Sequence, residues 1–208
     1  MKSAVLNFLR LLFVAVAGAL LTGCLFRRAT DSIHYFVLSP ISTNEPAMVE
    51  SPQLAVGIGY VKMPPYLLRT SMAVRSRTNQ IEYIQDARWA ERLDQSFRQT
   101  IADNLSRLLP SGRVHITDWG RDEATFNVFI TVQQFEVDTR GSGTLIAQWR
   151  ITASDNEKPL KSGQTSLVRS GDSPRGDPEA IAMTLSDLTA KFSRELAQSI
   201  HESVKSSP

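Results

Sequence analysis

Two stretches of the chain repeat an apolar residue every three or four positions, and this spacing constrains the fold more than any other feature. The first stretch covers 86–109 and includes Trp89, Leu93 and Phe97 among charged and polar residues. Apolar residues at that spacing form one face of an α-helix. We therefore predict an amphipathic helix over this stretch, with Asp86 as its N-cap and Trp89, Leu93 and Phe97 on the stripe that faces the core.

The second stretch starts at Asp177, which a proline and a glutamate follow, and keeps the helical period from Ile181 to Ile200. Asp is a favoured N-cap residue, proline is favoured in the first turn, and an acidic residue there complements the helix dipole. These features predict a second long helix that runs from Asp177 to about His201.

Much of the remaining chain alternates apolar and polar residues with a period of two, which is typical of half-buried β-strands. In the strand predicted over 54–60, this alternation places Tyr60 on the inner face. Gly57 and Gly59 fall on the opposite face, where the missing side chains allow a helix or another backbone to approach closely.

The alternation over 126–137 slips by one position at Gln133 and Gln134. A slip of one residue turns the side chains to the other face, so we predict a β-bulge there. The predicted strands are 34–38, 54–60, 72–76, 81–84, 113–117, 126–137, 145–151 and 160–168. Together with the two helices they predict a single α+β domain, in which both helices pack on one face of a mostly antiparallel sheet of about eight strands.

The start of the chain has the pattern of a secretory signal peptide, with basic residues followed by an apolar run from Leu11 to Leu20. This run ends at Leu21-Thr22-Gly23-Cys24, which resembles the bacterial lipobox. In that motif small residues precede a cysteine whose thiol receives a diacylglyceryl group. We predict cleavage between Gly23 and Cys24, and a diacylglyceryl and an N-acyl chain on Cys24. The alternative of a retained membrane-spanning helix is disfavoured because Asn7 and Arg10 interrupt the apolar stretch.

These signals divide the chain into a lipoprotein signal peptide over 1–23, a lipidated tether over 24–32 and one domain over 33–208. Residues 1–23 contain two of the 23 basic residues and none of the 21 acidic ones, so the mature chain is formally neutral. A neutral chain gives no reason to expect nucleic acid as a partner. Cys24 is the only cysteine, so it has no disulfide partner within the chain.

The chain shows no arrangement of residues that predicts catalysis. Its three histidines, at 34, 115 and 201, lie on separate predicted elements without cysteines or carboxylates at ligand spacing. It has neither a nucleophile elbow nor a phosphate-binding loop nor a dinucleotide fingerprint. We therefore predict no catalytic residue, no metal and no cofactor apart from the lipid on Cys24.

Pro64 and the proline after it exclude a strand interior, yet the same short segment contains Tyr66, Leu67 and Arg69. Two interpretations are open. The segment either forms a docking surface for a partner or folds its apolar residues back over the core. The candidate partner-binding residues are Pro64, Tyr66, Leu67 and Arg69.

The order of these motifs resembles the ABC-type transport auxiliary lipoproteins, a family that includes the lipoprotein of the paraquat-inducible system. The residues that carry the resemblance, after the lipobox, are Ile33–Leu38, Val61–Arg69, Met72–Arg75 and Arg88–Leu93. The family usually has an aspartate at the position that Leu68 occupies here, so an ion pair between that carboxylate and the neighbouring arginine is not expected in this chain.

The resemblance implies a non-catalytic partner of a transport protein with MCE domains, in a system that moves phospholipid between the inner and outer membranes. The lipoprotein would anchor or cap the periplasmic complex at the outer membrane, since residue 25 is not the aspartate that marks inner-membrane retention. Docking to a symmetric tube would favour a homo-oligomeric ring. Two alternatives stay open. One is a pilotin-like assembly lipoprotein for an outer-membrane machine, and the other is a lipid-binding carrier with a cavity between helix and sheet.

Overall fold

The structure, a computed structural model, describes five ranges of the chain, which are 32–42, 54–109, 113–116, 124–153 and 159–206. The predicted signal peptide, its cleavage site after Gly23 and the lipidated Cys24 lie outside the described residues, and so does the predicted tether up to residue 31.

The described residues form eight β-strands, two α-helices and one short 3-10 helix. In chain order they are β1 (His34–Phe36), β2 (Ala55–Lys62), the 3-10 helix (Pro65–Leu68), β3 (Ser71–Arg77), β4 (Gln80–Trp89), α1 (Leu93–Leu108), β5 (Arg113–Ile116), β6 (Phe126–Asp138), β7 (Ser142–Ala153), β8 (Pro159–Ser170) and α2 (Glu179–Ser206).

All eight strands belong to one sheet, and β6 is its centre. Strand β7 pairs with β6 along nearly its whole length, and β8 pairs with β7. The other edge of β6 is shared, because β2 pairs with 126–131 and β3 pairs with 137–138. Beyond these, β5 pairs with β2, while β4 and then β1 extend the sheet from β3.

Both helices pack on the same face of this sheet, as predicted. The fully buried Phe97 of α1 lies 4.9 Å from Phe135 of β6 and 6.1 Å from Phe192 of α2, measured between ring centroids. One aromatic cluster therefore joins the sheet to both helices. The predicted α+β class, the eight strands and the two amphipathic helices are confirmed.

The sheet is mixed, and this is where it differs from the prediction of mostly antiparallel strands. The pairs β3–β4, β6–β7 and β7–β8 are antiparallel, and the last two form the longest ladders. The pairs β1–β4, β2–β5, β2–β6 and β3–β6 are parallel. Parallel neighbours come from separated parts of the chain, so the local alternation of residues does not reveal them.

The bulge predicted in β6 is confirmed. The register between β6 and β7 shifts between Val132 and Gln134, so Phe135 and Val137 return to the buried face. A second shift, between Ile58 and Val61 of β2, was not predicted. It turns Val61 inward and leaves Tyr60 68% exposed, so the prediction of an inward Tyr60 is wrong.

Helix α1 begins at Leu93, so the prediction that it begins at Asp86 is wrong. Asp86 lies in β4 and Trp89 is the last residue of that strand, where β1 pairs beside it. A spacing of four residues between Trp89 and Leu93 fits a strand as well as a helix, since four is a multiple of two. Trp89, Leu93 and Phe97 are nevertheless all buried, as the predicted stripe requires.

Helix α2 follows its prediction more closely. The backbone N–H of Glu179 donates to Oδ1 of Asp177 at 3.0 Å, which is the expected N-cap interaction. The helix continues beyond His201 to Ser206. Its predicted apolar stripe is buried from Ile181 to Ile200.

Candidate functional site

The segment that sequence analysis singled out connects β2 to β3. Its two prolines lead into the 3-10 helix, and the N–H of Leu67 donates to the carbonyl of Pro64 at 3.0 Å. Proline suits this position because its fixed φ fits a helix start and its missing N–H is not needed there. The segment is thus a defined turn.

The four candidate docking residues differ in their exposure. Leu67 is only 2% exposed and packs in the core, where a partner does not reach it. Tyr66 is half-buried against the core, Pro64 is half-buried and Arg69 is exposed. For Leu67 the structure therefore supports the second of the two interpretations. A docking role for Pro64, Tyr66 and Arg69 stays a prediction.

Tyr66 is held in place by a buried carboxylate. Its hydroxyl donates to Oε2 of Glu136 at 2.8 Å, and the guanidinium of Arg75 lies 2.6 Å from Oε1 of the same residue. The side chain of Glu136 is only 1% exposed, whereas that of Arg75 is 27% exposed. The backbone N–H of Phe135 also donates to this carboxylate, at 3.1 Å. Glu136 thus ties the segment to β6 and β3.

The charges of this network set the protonation of its members. Burial and the hydrogen bond to Glu136 raise the pKa of Tyr66 well above its usual value, so its hydroxyl stays neutral and remains a donor. Partial burial of Arg75 works to lower its pKa, but the hydrogen bond and the charge of Glu136 outweigh this and raise it. Tyr66 and Arg75 therefore both stay protonated at neutral pH and donate to Glu136.

The outer end of the segment is oriented by aromatic contacts. The guanidinium carbon of Arg69 lies 4.8 Å from the centre of the Tyr83 ring, and the Tyr83 hydroxyl donates to the carbonyl of Tyr66 at 3.2 Å. A cation over an aromatic face is attracted by the ring quadrupole. Arg69 is therefore exposed and also oriented, as a recognition residue should be.

A groove of about 850 Å³ lies on the sheet face that the helices do not cover. Phe129 and Tyr60 contribute aromatic rings, and Arg150 lies over Phe129 at 5.2 Å from the ring centre. Sequence reasoning missed this groove, because it placed Tyr60 on the inner face and did not consider the outward-facing residues of β6 and β7. The exposed aromatic at Phe129, in a polar position of a strand, was the available signal.

Gly59 lines this groove, and Gly57 faces the side chain of Asn127, which also lines it. A Cβ added to Gly59 would lie 2.9 Å from the Phe129 ring, and one added to Gly57 would lie 2.5 Å from Oδ1 of Asn127. The nearest group at each glycine is therefore a side chain of β6. The predicted helix does not pack there, whereas a backbone does approach Gly59, since the carbonyl oxygen of Val128 lies 3.3 Å from the added Cβ.

Metal chemistry has no support in the part of the chain that the structure describes. Within those ranges no group of three or more histidine, cysteine, aspartate or glutamate side chains is placed to hold a metal ion. Neither α1 nor α2, the two helices of those ranges, is long and apolar enough to cross a membrane.

The family model for the "ABC-type transport auxiliary lipoprotein component" matches residues 36–197, which is more than half of the chain. The chain belongs to this family. This auxiliary lipoprotein is therefore a component associated with ABC-type transport, as its motifs indicated. A comparison with curated proteins finds no match.

Solved structures resemble this auxiliary lipoprotein in fold. A crystal structure described as an uncharacterized protein has a TM-score of 0.67 at 21% identity, covering 81% of this chain and 99% of that one. A Xanthomonas campestris protein of family DUF330 has a TM-score of 0.69 at 14% identity, covering 83% and 97%. A PelC dodecamer from Paraburkholderia phytofirmans has a TM-score of 0.38 at 15% identity, covering 70% and 89%. At such identities the first two show the fold alone.

Proposed function

We propose that this auxiliary lipoprotein is a non-catalytic component of an MCE-type transport system. In this proposal it is held at the outer membrane by the lipid on Cys24, faces the periplasm, and anchors or caps a complex that moves phospholipid between the two membranes. Membership of the family carries the proposal. The arrangement of the described residues agrees with a binding role, since the candidate segment presents oriented side chains and no reactive group.

The docking edge in this proposal consists of Pro64, Tyr66 and Arg69. Tyr66 is anchored from below by Glu136, and Arg69 is oriented by Tyr83. A surface that is ordered before a partner binds loses less conformational entropy on binding. This rigid turn is therefore suited to recognition, although it contributes only a small part of the area that a stable interface needs.

The packing of the core bears on one of the two alternatives. A lipid-binding carrier needs space between the helices and the sheet, but Phe97 contacts Phe135 and Phe192 at that place. Gly57 and Gly59 face the other side of the sheet and do not open such a space. These observations favour a docking protein over a carrier. A ring of copies remains part of the proposal, because a symmetric partner favours a symmetric arrangement.

In-cell photocrosslinking from position 69 tests this function. A photoreactive residue replaces Arg69, and a matched control replaces Arg77, another exposed arginine at the far end of β3. We expect a crosslink to an MCE-domain protein from position 69 and not from position 77, in outer-membrane fractions.

Other crosslinking results have defined meanings. A crosslink only to a secretin or an outer-membrane barrel would support the pilotin-like alternative. Equal crosslinking from positions 69 and 77, or none from either, would contradict the docking edge.

A further inference from the structure

Four large apolar side chains lie exposed together where the folded domain begins. We name them the N-terminal patch, which consists of Ile33 (46% exposed), Tyr35 (66%), Val37 (53%) and Met183 (63%). Tyr35, Val37 and Met183 line one surface groove of about 610 Å³ between the start of the domain and α2. Apolar side chains that are exposed next to one another are typical of a surface that binds a membrane, a ligand or another protein.

The alternation of β1 explains why these residues face outward. Phe36 packs against the core and Leu38 is buried, so the residues between and before them point the other way. Ile33, Tyr35 and Val37 therefore share one side of the chain.

Hydrogen bonds to both helices hold the following segment in place. The N–H of Ser39 donates to Oγ of Ser186 at 2.9 Å, and the N–H of Ile41 donates to Oδ1 of Asn104 at 2.8 Å. Because the segment after Val37 is bonded to the helices, the patch is a fixed surface of the domain.

The charged groups around the groove do not select a charged occupant. Glu179, Asp187 and Arg194 line it, and Asp187 is already paired with Arg169 at 2.6 Å. Charges of both signs with one existing ion pair give little net attraction for an acidic or a basic partner. The apolar side chains are therefore the feature that decides what binds here.

The length of chain before the patch indicates its occupant. Ile33 stands nine positions after Cys24, and nine residues of fully extended chain span at most about 32 Å. If Cys24 carries a lipid, the patch stands at the root of a short tether to the bilayer. Holding a weak apolar surface that close to its target raises its effective concentration, so a few side chains suffice for contact. Tyrosine also suits the boundary between headgroups and acyl chains, because it is apolar along its ring and polar at its tip.

We propose that the N-terminal patch inserts into the interfacial region of the membrane that holds the lipid of Cys24. The domain then lies against the bilayer in one orientation and does not swing freely on its tether. This inference rests on the lipidation assumed in the proposed function and adds to it a second, non-covalent membrane contact.

Nitroxide accessibility tests the inference, and the sequence makes the labelling clean. Cys24 is the only cysteine, and its sulfur is blocked once it carries lipid. A cysteine introduced by Val37→Cys or Met183→Cys is then the single reactive thiol. Val168→Cys is the matched control, since Val168 is 63% exposed on β8. Its neighbour Arg169 faces α2 and pairs with Asp187, so the side chain of Val168 lies on the opposite face of the sheet.

The lipidated full chain is reconstituted in vesicles of phosphatidylethanolamine and phosphatidylglycerol, and each nitroxide is probed with oxygen and with a water-soluble nickel chelate. We expect labels at 37 and 183 to lie about 5–10 Å inside the interface, with high oxygen and low nickel accessibility. The label at 168 should be accessible to nickel. Unchanged thermal unfolding would show that the labels leave the fold intact.

Two results would overturn the inference. Labels at 37 and 183 that are as accessible to nickel as the label at 168 would place the patch in water. Dipolar broadening at 37 that disappears on dilution with unlabelled protein would show that a second copy covers the patch. Intact mass reports lipidation separately, so a lipidated chain with a wet patch refutes this inference alone, whereas an unlipidated chain refutes the proposed function as well.

Discussion

Replacing Glu136 with Gln should destabilise the domain by about 2 kcal/mol, because the carboxylate is the shared acceptor for three donors. Breaking a buried ion pair by removing one partner costs roughly 3–5 kcal/mol. That figure is reduced here because Arg75 is 27% exposed and can be rehydrated. The amide of Gln keeps the shape and one acceptor oxygen, so the remaining loss is the charge assistance to two hydrogen bonds, at about 1 kcal/mol each.

Equilibrium urea unfolding of the mature chain carrying Cys24→Ser, followed by circular dichroism, measures this loss. For a domain of this size, about 2 kcal/mol corresponds to a fall in Tm of roughly 4–8 °C. Glu82→Gln is the matched control, since Glu82 lies exposed on β4 and its loss should change the unfolding free energy by less than about 0.5 kcal/mol.

A double-mutant cycle then tests whether Tyr66 and Glu136 act together. Tyr66→Phe alone removes one hydrogen bond and should cost about 1 kcal/mol, but it should cost much less in the Glu136→Gln background. A shared network is excluded if the unfolding free energy of Glu136→Gln lies within about 0.5 kcal/mol of that of the parent chain, or if the effects of the two changes are additive.

Three further predictions concern the core, the pH dependence and a turn. Phe97→Ala should lower the unfolding free energy by about 4 kcal/mol and Phe97→Leu by no more than about 1.5 kcal/mol, measured by urea unfolding, and equal effects would contradict the aromatic cluster. Because the pKa of Tyr66 is raised in the folded state above its ordinary value of 10.0, its contribution is present below pH 10 and is lost as pH rises further. Stability measured above pH 10 should therefore fall less steeply in Tyr66→Phe than in the parent chain, and parallel curves would exclude the shift. Gly141 has a φ of 94°, and a Cβ there would lie 2.3 Å from the carbonyl oxygen of Asp172, so Gly141→Ala should cost about 2 kcal/mol or more in the same urea assay. A neutral result would show that the turn can rearrange.

The starts of the two helices differ in whether nearby residues determine them. Asp177 caps α2 through an interaction with Glu179, two residues away, so sequence reasoning found it. The start of α1 depends on β1, which pairs beside Trp89 from a position more than fifty residues earlier in the chain. The spacing around Trp89 fits a helix as well as a strand, and pairing with the distant β1 decides that this residue belongs to a strand.

In the candidate site, too, some features follow from nearby residues and others only from the folded structure. The prolines before Tyr66 predict a turn from the sequence alone, and the turn is present. The burial of Leu67, and the acceptor that Glu136 offers to Tyr66 from 70 positions away, follow only from the way β3 and β6 are brought together. The exposure of Tyr60 likewise follows from the shifted register between β2 and β6.

By itself the sequence determined the features that depend on neighbouring residues. These are the signal peptide and lipobox pattern, the two apolar helix stripes, the α2 cap and the β6 bulge. The resemblance to the family was also visible from the sequence alone. The tertiary structure alone decided the parallel pairings, the start of α1, the buried Glu136 network and which apolar residues stay exposed in the N-terminal patch. The physical reason is the range of the interactions. Capping and periodicity act within a few residues, whereas pairing and burial depend on segments that meet only when the chain has folded.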